Sequence, residues 1–69
     1  ITHLDLHGAR HLEARNYVLD FVLQHQNLIP LIIICGNSNQ MIKIAKEILR
    51  KNDIIFSEPR FGILRVESI

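Results

Sequence analysis

His3, Asp5 and His7 occupy alternate positions in the run His3-Leu4-Asp5-Leu6-His7. In an extended strand, residues i, i+2 and i+4 project from one face, so this spacing lines up two imidazoles and a carboxylate. An imidazole titrates near neutrality, and a carboxylate beside it can orient the ring and fix its tautomer. Asp5 and His7 are therefore candidates for the acid–base pair of phosphodiester cleavage, or for the ligands of one divalent ion. The same alternation is also what a half-buried strand shows on its wet face, with Leu4 and Leu6 turned to the core.

A second group of residues follows the apolar, β-branched run Leu31-Ile32-Ile33-Ile34-Cys35. Gly36-Asn37-Ser38 forms a turn between that run and a helix, and such a junction points free backbone N–H groups outward at the positive end of the helix dipole. Gly36 allows close backbone approach, and Ser38 or Asn39 can cap the helix or contact an anion. The turn reads as a phosphate cradle or as an ordinary N-cap, and it is too short for a P-loop. Cys35 ends a buried strand with no acyl-transfer triad around it, so it reads as a small buried hydrophobe rather than a nucleophile.

The third feature is the placement of charge. Lys43, Lys46, Arg50 and Lys51 fall in the second helix against Glu47 alone, Arg60 and Arg65 flank Gly62, and Arg10 and Arg15 lie beyond the first strand. Dispersed, they would be solubilising charges; gathered along one side, they would form the local basic strip a polyphosphate backbone needs. Tyr17 sits at an apolar helical position and reads as core, and Phe61 reads as a hairpin hydrophobe.

The elements that must position these groups are legible in the periodicity. His3 to His7 reads as a strand ended by Gly8. From about Arg10 to Gln24, Ala14, Val18, Phe21 and Val22 recur at helical spacing. Leu31 to Cys35 is a central strand, and Gln40 to Lys51 is a helix with Met41, Ala45, Ile48 and Leu49 on one face. Asp53 to Ser57 reads as a third strand closed by Glu58-Pro59, and Ile63 to Glu67 as a fourth. The order βαβαββ makes an α/β (α+β) two-layer sandwich: a four-stranded mixed sheet with two helices on one face. Its first two strands are parallel, so the Asp5–His7 and Cys35–Ser38 ends share one edge, where ligand sites collect in open sheets. Leu31–Cys35 is apolar on both faces, which leaves Ile or Leu on the open side as a self-association surface.

Size and composition set the outer bounds. The chain has 69 residues, eight Lys and Arg against seven Asp and Glu, and one cysteine. That is one small domain over residues 1–69, with a thin core and no internal disulfide. A formal charge of +1 argues against holding polyanions by bulk charge alone. The first residue is Ile, which reads as an excised segment, and no apolar run approaches a membrane span. A cytoplasmic monomer or weak homodimer is expected.

With these residues in view, Leu4-Asp5-Leu6-His7-Gly8 followed by Glu13-Ala14 resembles the opening motif of the Smr (small MutS-related) domain family. The likeness covers nearly the whole chain. Ile32–Ser38 stands where that family carries its second motif, and Phe56-Ser57-Glu58 with Gly62-Ile63-Leu64-Arg65-Val66 is similar to its closing hairpin. The family's second motif usually reads His- or Thr-Gly-x-Gly; here it reads Cys35-Gly36-Asn37-Ser38, with the first Gly kept and Ser38 in place of the second. This variant is similar to compact relatives with a Gly-Asn-Ser turn followed by Met, and Lys43 matches the basic residue usually found after the turn.

The resemblance implies a βαβαββ sandwich similar to the C-terminal domain of a bacterial translation initiation factor. It also implies nucleic-acid binding and endonuclease activity on DNA, including branched forms, or on RNA, with Asp5 and His7 at the positions linked to cleavage. The expectation is thus an endonuclease. Asp5 and His7 are catalytic, Gly36, Asn37 and Ser38 cradle the scissile phosphate, and Lys43, Lys46, Arg65 and Arg10 hold the flanking backbone. RNA cleavage through the 2′-OH needs no metal, whereas DNA cleavage calls for Mg²⁺ or Mn²⁺ on Asp5 and His7. The alternative is a non-catalytic nucleic-acid-binding module of a larger protein.

Overall fold

Leu4 alternates with two polar neighbours, and the chain accordingly begins in a short strand, β1 (His3–Asp5), with Leu4 turned inward and His3 and Asp5 exposed. The computed structural model describes residues 2–69. Helix α1 (His11–Gln24) and a 3₁₀ turn at Gln26–Leu28 carry the chain across to β2 (Leu31–Ile34). β2 pairs in parallel with β1, placing His3 beside Ile32 and Asp5 beside Ile34. After helix α2 (Asn39–Lys51), strands β3 (Ile55–Arg60) and β4 (Ile63–Ser68) form an antiparallel hairpin. β4 inserts between β2 and β3, and the sheet order is β1-β2-β4-β3. The expected α+β architecture is the one observed.

One hydrophobic core lies between the sheet and both helices. The sheet contributes Leu6, Leu31, Ile33, Cys35, Leu64 and Val66; α1 contributes Ala14, Val18, Phe21 and Val22; α2 contributes Met41, Ile42, Ile44, Ala45 and Leu49. Each fully buried Leu, Ile or Val contributes about 1.5–3 kcal/mol relative to exposure, which lets so small a domain dispense with cross-links. Directly opposed residues of an antiparallel pair point to the same side, so Ile32 with Arg65 and Ile34 with Ile63 form the other face. Those three isoleucines are half-buried and stand apart from the helix-packed core. Both helices therefore cover one face, and β2 is apolar on both.

Three local expectations are corrected. Tyr17 is not core: it is 44% exposed at the border of the α1 stripe, and its hydroxyl donates to Glu13 Oε2 at 3.2 Å. The third strand starts at Ile55 rather than Asp53, because Asp53 takes a left-handed backbone (φ 57°) that ends α2. It also runs on through Glu58-Pro59 to Arg60. β3 is an edge strand with a register shift between Ser57 and Arg60, and Pro is tolerated at such a position because no ladder bond is lost.

Candidate functional site

The parallel strands β1 and β2 end at the same edge, and two turns meet there. The pairing continues one residue past β1, where Leu6 N–H donates to Ile34 O at 2.8 Å. The chain then reverses through Leu6-His7-Gly8-Ala9, closed by Ala9 N–H to Leu6 O at 3.0 Å. Gly8 supplies the positive φ (84°) such a turn needs at its third position. His7, just before it, is exposed.

On the neighbouring strand, Cys35-Gly36-Asn37-Ser38 leads into α2. Ser38 is the N-cap: its Oγ accepts from Met41 N–H at 3.1 Å. His7, Gly8, His11, Gly36, Asn37 and Ser38 line a groove of about 350 Å³ floored by Leu6, Cys35 and Met41. The His7 turn and the Gly36–Ser38 turn thus share one cleft, and both helices begin beside it. α1 has no side-chain cap at Arg10, so the N–H groups of His11 and Leu12 are left to meet an anion, while that of Glu13 bonds the Arg10 carbonyl.

The Gly36 turn is held from behind by the β3–β4 hairpin. Cys35 N–H donates to Gly62 O at 2.7 Å. A Cβ on Gly62 would lie 2.1 Å from Gly36 O, so only glycine fits there. The close backbone approach anticipated at Gly36 is therefore made by Gly62 of the same chain. Gly36 itself is needed for its φ of 73°, and the space around it is open. Glu58 completes the brace, accepting from Gly62 N–H at 3.3 Å and pairing with Lys46 Nζ at 2.7 Å.

These contacts hold the Glu58 carboxyl below its ordinary value of 4.5, the Lys46 hydrogen bond first and the Gly62 N–H second. A carboxylate with a depressed folded-state pKa stabilises the fold above its unfolded value, and that contribution is lost as pH falls through the folded one. Melting followed against pH is expected to show wild type losing stability below about pH 4.5, with a flatter acid limb in Glu58→Gln. Superimposable acid limbs would remove Glu58 from the brace.

Cys35 is 3% exposed, and burial pushes its thiol up to about 11. It carries no thiolate at neutral pH and forms part of the groove floor.

The sequence candidates are not all brought together. His7, Gly36, Asn37 and Ser38 share the groove. Asp5 does not line it. β1 ends at Asp5 and the chain turns, so His7 leaves the strand face it was expected to share with His3 and Asp5. Asp5 Oδ1 accepts the backbone N–H of His7 at 2.8 Å, and among the described residues no hydrogen bond or ion pair joins its carboxylate to the His7 ring.

The basic strip forms only in part: Lys43, Lys46 and Arg50 line one groove along α2, with Glu47 among them. Lys43 lines an adjoining groove between α1 and α2 with His11, Arg15 and Gln40. Lys46 is committed to Glu58, and Arg50 lies over the Phe56 ring at 5.7 Å. Arg65, opposite Ile32 and Ser57, is on the open sheet face, away from the helices. Arg10 is exposed at the α1 N-cap, its carbonyl accepting from Glu13 and Ala14.

Three residues had no assigned role from sequence. His11 joins His7 in the groove, and its signal was the spacing His7-Gly-Ala-Arg-His11. Glu58 and Gly62 act through tertiary contacts that leave no local pattern.

Among the described residues no group of three His, Cys, Asp or Glu side chains converges as a metal site. Asp5 and His7, the pair that would have held Mg²⁺ or Mn²⁺, meet through a backbone amide, which occupies one carboxylate oxygen. Asp5 Oδ2 is left as the donor oxygen that could join waters and a substrate phosphate around such an ion. Among the described residues no helix is long and apolar enough to cross a membrane. No protein-family model, curated protein or solved structure matches the chain.

Proposed function

We propose that the chain is a nucleic-acid endonuclease of the Smr-like kind that its motifs resemble, cleaving phosphodiesters in the groove at the β1–β2 edge. The observation that carries this reading is the meeting of His7 with the Gly36–Ser38 turn in a single cleft at the carboxyl ends of parallel strands. The imidazole supplies acid–base chemistry, and the turn with the α2 N-terminus supplies N–H donors for a phosphate. Asp5 is a positioning residue, fixing the His7 backbone. Lys43 lies beside the cleft, where the flanking backbone would pass.

The test is cleavage of labelled single-stranded, duplex, branched and RNA substrates, with and without EDTA, by wild type and His7→Gln. Cleavage by wild type that disappears in His7→Gln is expected; equal cleavage by both sinks the assignment.

One observation favours a second reading, a non-catalytic nucleic-acid-binding module. The Asp5 carboxylate contacts the amide of His7 rather than its ring, so the acid–base pair is not preassembled. That reading predicts salt-sensitive binding without turnover.

On either reading, Lys43→Glu is expected to weaken binding and lower the slope of log K against log salt by about 0.7–0.9, the value of one phosphate contact. Arg65→Glu, on the opposite face, is expected to leave the slope unchanged. Fluorescence anisotropy titrations at several salt concentrations distinguish the two substitutions, and the same change from both would contradict the placement of the phosphate path.

A further inference from the structure

We infer that His11 is a second catalytic residue, the proton donor to the leaving oxygen, and that the substrate is accordingly RNA. This rests on the endonuclease reading and deepens it. His7 and His11 approach the groove from different elements, His7 from the turn after β1 and His11 from the first residue of α1. Both line the same groove as the Gly36–Ser38 turn, where a phosphate would be cradled. His11 also lines the adjoining α1–α2 groove with Gln40, Lys43 and the Arg15–Glu47 ion pair (4.0 Å), so it stands where a chain leaving the cleft would pass over Lys43. Both histidines are exposed, and no hydrogen bond or ion pair occupies either ring among the described residues.

Two imidazoles flanking a phosphate suit transesterification through a neighbouring hydroxyl. Neutral His7 takes the proton of the ribose 2′-OH as the 2′-oxygen forms its bond to phosphorus. The bond from phosphorus to the 5′-oxygen breaks, and the departing oxygen takes a proton from His11 imidazolium. The products are a 2′,3′-cyclic phosphate and a 5′-hydroxyl; the two histidines end with one proton between them, as they began. The N–H groups of His11 and Leu12, at the start of α1, favour the negative charge that develops on the oxygen leaving beside His11. DNA lacks the internal nucleophile and is not cut by this route.

The inference is tested with two substrates, an oligoribonucleotide and uridine 3′-(4-nitrophenyl phosphate), whose nitrophenolate departs without a proton. His11→Gln is expected to lose about 10²–10⁴-fold on the oligoribonucleotide and only a few-fold on the nitrophenyl ester. His7→Gln is expected to lose heavily on both. Wild-type kcat/KM should be bell-shaped in pH, and His11→Gln should lack the alkaline limb. Phosphorus NMR should show the cyclic phosphate. Equal losses by His11→Gln on both substrates, at unchanged circular dichroism and Tm, would give His11 a binding or structural role and overturn the inference. Wild-type cutting of all-deoxy substrates at a comparable rate also overturns it. His7-dependent RNA cleavage with His11→Gln at the wild-type rate removes this inference alone. No cleavage of any nucleic acid by wild type removes the endonuclease reading with it.

Discussion

Gly62→Ala is expected to be the most damaging single substitution in the domain. The new Cβ would sit 2.1 Å from Gly36 O and 3.0 Å from Gly36 C, and both are backbone atoms. No side chain can rotate away, and the turn cannot recede without breaking the 2.7 Å bond from Cys35 N–H to Gly62 O. The φ of +84° adds a left-handed penalty of about 1–2 kcal/mol for an L-residue. Overpacking adds about 1–3 kcal/mol more. Together these approach the whole stability of a small domain, about 0.05–0.15 kcal/mol per residue. Gly8→Ala is the control: it has the same φ, but nothing lies within 4 Å of the added Cβ. It should lose only the backbone term. Thermal melts are expected to place Gly62→Ala at least about 10 °C below wild type, and below Gly8→Ala. Equal losses in the two variants would show that the hairpin does not brace the Gly36 turn.

That comparison also marks where sequence reading ends. The run Leu31–Ile34 and the Ser38 cap are local signals, one of composition and one of a hydroxyl three residues before the N–H it accepts; both elements lie where those signals put them. Periodicity located α1 within a residue at its start, because Ala14, Val18, Phe21 and Val22 are all buried. It misassigned Tyr17, since a residue at the border of an amphipathic stripe has the spacing of core and the exposure of surface. Pro59 was read as a strand end, and only the sheet order, with β3 at an edge, explains its place inside a strand.

For the site, topology was the informative level. Parallel pairing of β1 and β2 brings the two motif turns to one edge without knowledge of any side chain. The strand rule failed two residues after Asp5, at His7, because it holds only while the chain stays extended. Gly8 and the Asp5–His7 contact turn the chain there, and His7 leaves the strand face for the groove that Ser38 and His11 also line. Lys46 and Arg65 show the same limit for charge. The cluster on α2 stays together, Lys43, Lys46 and Arg50 lining one groove, but Lys46 is paired with Glu58 and Arg65 lies on the far face.

The division of labour between Asp5 and His7 predicts an asymmetry no motif contains. His7→Gln is expected to reduce cleavage about 10²–10⁴-fold, the range for losing a general acid–base group, with Tm nearly unchanged because the residue is exposed. Asp5 acts through Oδ1, which accepts the His7 N–H at 2.8 Å and so sets where the imidazole begins. Asparagine keeps an oxygen at that position, and alanine does not. Asp5→Asn is therefore expected to cleave within a few-fold of wild type, whereas Asp5→Ala frees the turn and falls well below it. A carboxylate that transfers protons or holds a metal ion gives a different pattern, because its charge is what matters: Asn and Ala then fail together. Single-turnover rates on one RNA substrate, with and without EDTA, separate the two cases. Asp5→Asn as inactive as Asp5→Ala would return the carboxylate to the chemistry and require the Asp5 and His7 side chains to meet when substrate binds.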